Sequence, residues 1–142
     1  MSDSKLASLW TVWTPTMRSA LRIVAGFMFM QHGTAKLLAF PASLLPHGGT
    51  MSLTILPGAG GVFELVGGAL LLLGLLTRPV AFVCAGEMAV AYFKVHAPQG
   101  FWTIFNGGEL AALYCFVWLY FSAAGPGPIS LDAVRRLGDS GA

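Results

Sequence analysis

Gly60 to His96 reads GGVFELVGGALLLLGLLTRPVAFVCAGEMAVAYFKVH, two apolar runs parted by little more than Thr77 and Arg78. As a helix, each run is long enough to cross a hydrocarbon layer of about 30 Å. So short a connection makes the two antiparallel neighbours. Yet each run holds an acid, Glu64 in the first and Glu87 in the second. A charged side chain at mid-membrane costs roughly 2.5–3.5 kcal/mol on insertion scales, so both acids are expected to turn toward protein or water.

Working outward, the composition agrees. Of 142 residues, 56% are hydrophobic and 10% charged, against about a quarter charged in an ordinary soluble domain. The expectation is an all-α integral membrane protein, a bundle of four transmembrane helices with short amphipathic helices at both ends. A net charge of +2 points to no nucleic-acid partner. Cys84 and Cys115 sit in apolar runs without a Cys-x-x-Cys pair and read as small hydrophobes. The first residues do not form a signal-peptide pattern, being broken by Trp10, Trp13, Pro15 and Arg18.

Three parts follow along the chain: an interfacial segment over 1–17, a transmembrane domain over 18–124, and a tail over 125–142 with a short helix. In the first, Leu6, Leu9, Trp10, Trp13 and Met17 recur at helical spacing opposite Asp3 and Lys5, as in a helix lying in the headgroup layer. The first span, about 18–40, places Arg22, Gly26, Phe29, Gly33 and Lys36 on one face, with His32 at its edge. Pro41 to Pro57 is a loop. On the second span Gly60, Glu64, Gly67, Leu71 and Gly74 share a face whose small residues allow close helix approach. Thr77 is the expected cap of the third helix, which carries Glu87, Lys94 and His96. Phe101, Trp102 and Phe105 follow in a loop, and the fourth span begins near Asn106 and Glu109. In the tail helix Leu131, Val134 and Leu137 are expected inward and Arg135 and Arg136 outward.

Fixed positive charge lies at Lys5, Arg18, Arg78, Arg135 and Arg136, and the other two loops have no lysine or arginine. Both termini and the Arg78 turn are therefore expected on the cytoplasmic side. That topology puts His32, Lys36, Glu64, Lys94, His96, Asn106 and Glu109 in the outer half of the bilayer, Glu87 at its centre and Arg22 toward the cytoplasm. Three glutamates face three intramembrane cations, Arg22, Lys36 and Lys94, so pairing throughout is expected. One reading makes these pairs a scaffold that fixes helix register. The other makes His32, Lys36, Glu64, Glu87, Lys94, His96, Asn106 and Glu109 the lining of a ligand pocket, with histidines able to exchange protons near neutral pH. No phosphate loop, nucleophile elbow or metal motif is present, and no catalytic residue is assigned.

The polar punctuation carries a family resemblance. Arg22 with His32-Gly33 and Lys36, Phe63-Glu64-Leu65 running into Gly67-Gly68, Leu72 to Arg78, Glu87-Met88 with Tyr92 and His96, Asn106-Gly107-Gly108-Glu109, and Gly127 to Asp132 together resemble the DoxX family of small four-helix membrane proteins. The resemblance spans about 18–132. It implies kinship with subunits that pass electrons from a reduced sulfur compound to membrane quinone, and with a membrane protein that assembles with secreted redox enzymes. The expected function is the membrane subunit of a quinone-linked redox system, holding a quinone or small redox substrate in the polar pocket. Lys36 and His32 would bond a carbonyl or anion; Glu64 and Glu109 would accept protons. The alternative is a non-catalytic membrane anchor or assembly partner. Besides the bilayer, the candidate partners are a soluble redox protein and a second copy of the chain.

Overall fold

The computed structural model describes the backbone over 3–139 and side chains over 8–138. The expected roles of Asp3, Lys5 and Leu6 lie outside the described side chains. All regular structure within this range is helical. Helix α1 runs from Asp3 to Leu38. Helix α2 (Leu56–Val62), a π turn (Phe63–Gly67) and α3 (Gly68–Leu73) form a second continuous stretch. A third consists of α4 (Thr77–Ala91), a π turn (Tyr92–His96) and a 3-10 turn (Ala97–Gln99). A short α5 (Thr103–Asn106) precedes α6 (Glu109–Ala124), and α7 (Leu131–Asp139) closes the chain.

Two of these stretches, Leu56–Leu73 and Thr77–Gln99, are long and apolar enough to cross a membrane. Helix α6 is apolar but shorter. Helix α1 corrects one expectation: the interfacial segment and the first span are a single helix of 36 residues with Pro15 inside it. At 1.5 Å per residue it is about 54 Å long, well beyond one hydrocarbon thickness. An interior proline removes one backbone donor and crowds the preceding turn, yet the helix continues through Pro15. Nearby hydroxyls also occupy carbonyls, Thr14 bonding to Trp10 at 2.6 Å and Thr11 to Ser8 at 2.7 Å.

Glycine doublets position the second stretch between two neighbours. A Cβ at Gly26 of α1 would stand 2.7 Å from the Leu72 nitrogen, and one at Gly68 2.7 Å from the Met30 nitrogen. A Cβ at Gly33 would strike the Leu65 backbone, with the Gly61 oxygen 2.7 Å away. Gly26 and Gly33 thus meet Gly61 and Gly68 backbone to backbone. The other member of each doublet faces α4: Gly60 lies against the Glu87 carboxylate and Gly67 against Cys84. On the far side α6 packs on α4, and Tyr114 and Trp118, one turn apart, stack at 5.6 Å. Phe29 of α1 closes the ring against both, at 5.2 and 5.3 Å.

One end of the assembly is tied by arginines. Buried Arg22 donates to the carbonyls of Leu71 and Leu72 at the end of α3, and of Pro126 and Ile129 in the tail. Arg18 donates to Ala124 at 3.0 Å, and Arg78 to Ser122 and Ala123. The last carbonyls of a helix lack intrahelical partners, and cations are favoured there. The expected pairing of Arg22 with a glutamate is therefore replaced by bonds to main-chain oxygens. Nor does Thr77 cap α4. The Asp132 carboxylate does so from the tail, accepting the Leu76 and Thr77 N–H groups at 2.8 Å each. In the tail helix Arg135 and Arg136 face outward as expected, but Leu131, Val134 and Leu137, expected inward, are exposed as well.

Candidate functional site

At the opposite end, one ion pair sits among apolar walls. Lys36 in the last turn of α1 places Nζ 2.7 Å from Glu64 Oε1. It is the one ion pair that falls within the distance limit among the described residues. Glu64 is buried, and its second oxygen, Oε2, has no protein partner. The contact is set by backbone approach. Gly33 admits the Leu65 main chain next to α1, so the Glu64 side chain of the π turn meets a lysine one turn further along. Lysine's flexible stem lets the ammonium reach inward while its own backbone remains at the helix edge.

Two spaces open around this pair. The smaller, about 250 Å³, lies between α1, α4 and α6 and is lined by His32, Lys36, Glu64, His96 and Tyr114 over an apolar floor of Phe29 and Met88. The larger, about 450 Å³, lies between the second and third stretches, where Phe63, Val83, Val90 and Val95 surround Glu87. Lys36, Ala91 and His96 line both, so the two are lobes of one site. The Tyr114 hydroxyl is buried with no protein partner, as is Glu87 Oε2. Buried polar atoms in proteins are nearly always hydrogen-bonded, so orphans gathered on a cavity wall mark a place built for something else to bond.

Both π turns fall on this site, one carrying Glu64 and the other His96. Such turns insert a residue into an α-helix and concentrate at functional positions. His96 Nδ1 lies 3.0 Å from the Asn106 carbonyl, which can only accept, so Nδ1 carries the proton in that bond. In the neutral ring Nε2 is then an acceptor. The His32 ring stands edge-on to Tyr114 at 6.4 Å.

Of the eight residues expected to line a pocket, His32, Lys36, Glu64, Glu87 and His96 meet on these two lobes. Asn106 is buried but spends its amide on the loop, Nδ2 donating to Gly100 and Oδ1 accepting from Gly108, both at 2.7 Å. Lys94 and Glu109 are exposed and line neither lobe. Among the described residues neither Glu87 nor Glu109 has a lysine or arginine within ion-pair distance. Tyr114 joins the site although charge spacing does not single it out. Its hydroxyl was the missed signal, since a tyrosine inside an apolar helix needs a bonding partner. Among the described residues no three His, Cys, Asp or Glu side chains gather as a metal site.

An all-helical fold with glycine-tight seams and a buried Lys–Glu pair beside a cavity describes an all-α class of protein, and comparison gives the family. The DoxX family model matches residues 17–97, and the chain belongs to that family of membrane proteins. It is 48% identical over 123 residues to an uncharacterized protein of Haemophilus influenzae, covering 84% of this chain and 91% of that one. It is also 34% identical over 133 residues to an uncharacterized membrane protein of Mycobacterium tuberculosis, covering 82% and 78% respectively. No solved structure matches.

Proposed function

We propose that this DoxX protein crosses a bacterial inner membrane four times with both termini cytoplasmic, and binds a membrane quinone in the two-lobed cavity as the membrane subunit of a quinone-linked redox system. Four crossings are supported by the two long apolar stretches, by α6 at about 24 Å, and by an α1 whose internal Arg22 is wholly turned inward. The Arg18, Arg22 and Arg78 end is the cytoplasmic one under the positive-inside rule.

The observation that carries the ligand is the pair of buried orphan atoms, Glu64 Oε2 and the Tyr114 hydroxyl, beside Lys36 on one cavity wall. A flat ring with carbonyls at its edge fits that chemistry. Phe63, Val83 and Val90 supply an apolar bed, while the Lys36 ammonium and Tyr114 hydroxyl donate to an oxygen. Glu64 and Glu87 each present a buried oxygen without a protein partner, and His32 and His96 belong to the same lining. A bound quinone would supply reversible uptake of two electrons and two protons. The combined volume lies within the roughly 300–1,000 Å³ common to small-molecule sites.

Solvent extraction of the purified protein, followed by absorbance and by titration with a short-chain ubiquinone, tests this. Co-purifying or saturably bound quinone is expected, lost in the folded K36M/E64Q double variant. A clean extract with no saturable uptake overturns it. Exposed Phe101 and Trp102, with Phe105 on the adjoining α5, favour a second reading, docking of a soluble redox partner by a non-catalytic anchor. Pull-down that survives K36M/E64Q but is lost on replacing Phe101 and Trp102 would support that reading.

A further inference from the structure

The cytoplasm-side end carries a second cleft that plays no part in the cavity above. It measures about 360 Å³ and is lined by Arg78, Arg135, Arg136 and Asp132, with Leu76 and Pro79 at its rim. Three guanidiniums against one carboxylate leave a net charge of +2 on its walls. The Asp132 carboxylate is already engaged by the Leu76 and Thr77 amides. Arg78 has one nitrogen committed to the carbonyls of Ser122 and Ala123, whereas Arg135 and Arg136 are exposed on α7.

From the same rim a groove of about 380 Å³ runs along the seam between the second stretch and α4, lined by Val66, Leu70, Val80 and Val83. Leu76 and Pro79 belong to both spaces, so a basic seat opens directly into an apolar channel. Beside the seat, α7 exposes Leu131 and Val134 next to its arginines, the side-chain mix of a helix that lies on a charged bilayer surface.

We propose that this seat and groove bind an anionic phospholipid, its phosphate held by Arg78, Arg135 and Arg136 and one acyl chain laid in the groove. The geometry separates the two halves of such a molecule as its chemistry requires. Guanidiniums match phosphate oxygens in bidentate fashion, and a channel of valines and leucines with Phe63 and Cys84 offers an acyl chain an almost entirely apolar bed. The inference rests on the chain being a membrane protein; the groove shares Phe63 and Val83 with the larger lobe of the cavity, whereas the basic seat shares no residue with either lobe.

The test uses full-length protein, delipidated in a neutral maltoside. It is titrated with dioleoyl phosphatidylglycerol, with dioleoyl phosphatidylcholine, or with glycerol 3-phosphate and inorganic phosphate, and read by native mass spectrometry and thermal unfolding. Phosphatidylglycerol is expected to bind in preference to phosphatidylcholine. The R135Q/R136Q variant should weaken it roughly 10- to 30-fold, from the loss of two surface cations. V66W, altering a half-exposed groove residue away from the arginines, should weaken the lipid without changing the response to glycerol 3-phosphate. Equal binding of the two lipids, or full retention by R135Q/R136Q and V66W while circular dichroism reports native helicity, overturns the proposal. So does stabilisation by glycerol 3-phosphate or inorganic phosphate as large as that by the lipid, which would assign the seat to a free anion.

Discussion

Lys36 Nζ and Glu64 Oε1 are 2.7 Å apart, and the other oxygen of that glutamate faces a cavity with no protein partner. The pair is thus half closed, satisfied on one side and open on the other. A pair that served helix register alone would gain from engaging both oxygens.

Lys36→Met leaves an uncompensated buried acid and is expected to destabilise the protein by roughly 3–5 kcal/mol. Adding Glu64→Gln should recover much of that loss, giving a clear coupling energy in a double-mutant cycle of thermal unfolding. Additive effects of the two changes would show that the contact contributes nothing as a pair.

Arg22→Gln withdraws the donors that serve four main-chain carbonyls at a buried helix end. A loss of roughly 3 kcal/mol or more is expected from carbonyls left unpaired. By contrast, Arg135→Gln on the exposed face of α7 should stay within about 0.5 kcal/mol. Comparable melting curves for the two variants would contradict this role for Arg22.

Asp132 gives a pH dependence. Partial burial alone would raise its carboxyl; hydrogen bonds from Thr77 and Leu76, with Arg136 nearby, outweigh that and hold it below the ordinary 3.8. The unfolded chain therefore binds that proton more readily. The stabilisation is complete above the ordinary value and disappears as pH falls through the lowered one. Asp132→Ala should cost roughly 0.5–2 kcal/mol at neutral pH, as for a lost helix cap. The gap to the unmodified protein should close under acid, and a gap independent of pH would exclude the carboxylate as its source.

Gly33→Ala and Gly68→Ala place a methyl group against backbone rather than against a movable side chain. Each is expected to cost about 1–3 kcal/mol by overpacking. Gly86→Ala, where an added Cβ meets nothing within 4 Å, should be neutral or better. Unfolding in graded denaturing detergent would rank the three, and equal midpoints would refute the backbone seams.

The apolar stretches, the small-residue faces and the convergence of His32, Lys36, Glu64, Glu87 and His96 were legible because each follows from hydropathy and helical spacing. The fate of Arg22 was not. Its partners are main-chain oxygens at the ends of other segments, and backbone acceptors leave no mark in composition. Counting acids against bases therefore predicted ion pairs where helix ends were the true sink for positive charge. Lys94 and Glu109 escaped for a different reason. Lys94 lies inside the π turn Tyr92–His96, where a regular 3.6-residue helix assigns side chains to the wrong face, and Glu109 opens a separate helix whose phase is not set by that of α4. The split of Gly60-Gly61 and Gly67-Gly68 between two seams was half visible, since spacing alone selected only the first of each doublet.

The π turn at Phe63–Gly67 has a consequence for what lengths of chain the fold tolerates. A residue advances a helix by about 100°, so the seven steps from Gly61 to Gly68 bring both to nearly one face. Both must point at α1 at once. Deleting a single amino acid here, however conservative in hydrophobicity, would swivel one half of the segment against the other. Either the arginine-tied end or the cavity end could then dock, but not both together. Residue count, more than residue identity, is what this part of the chain has to keep.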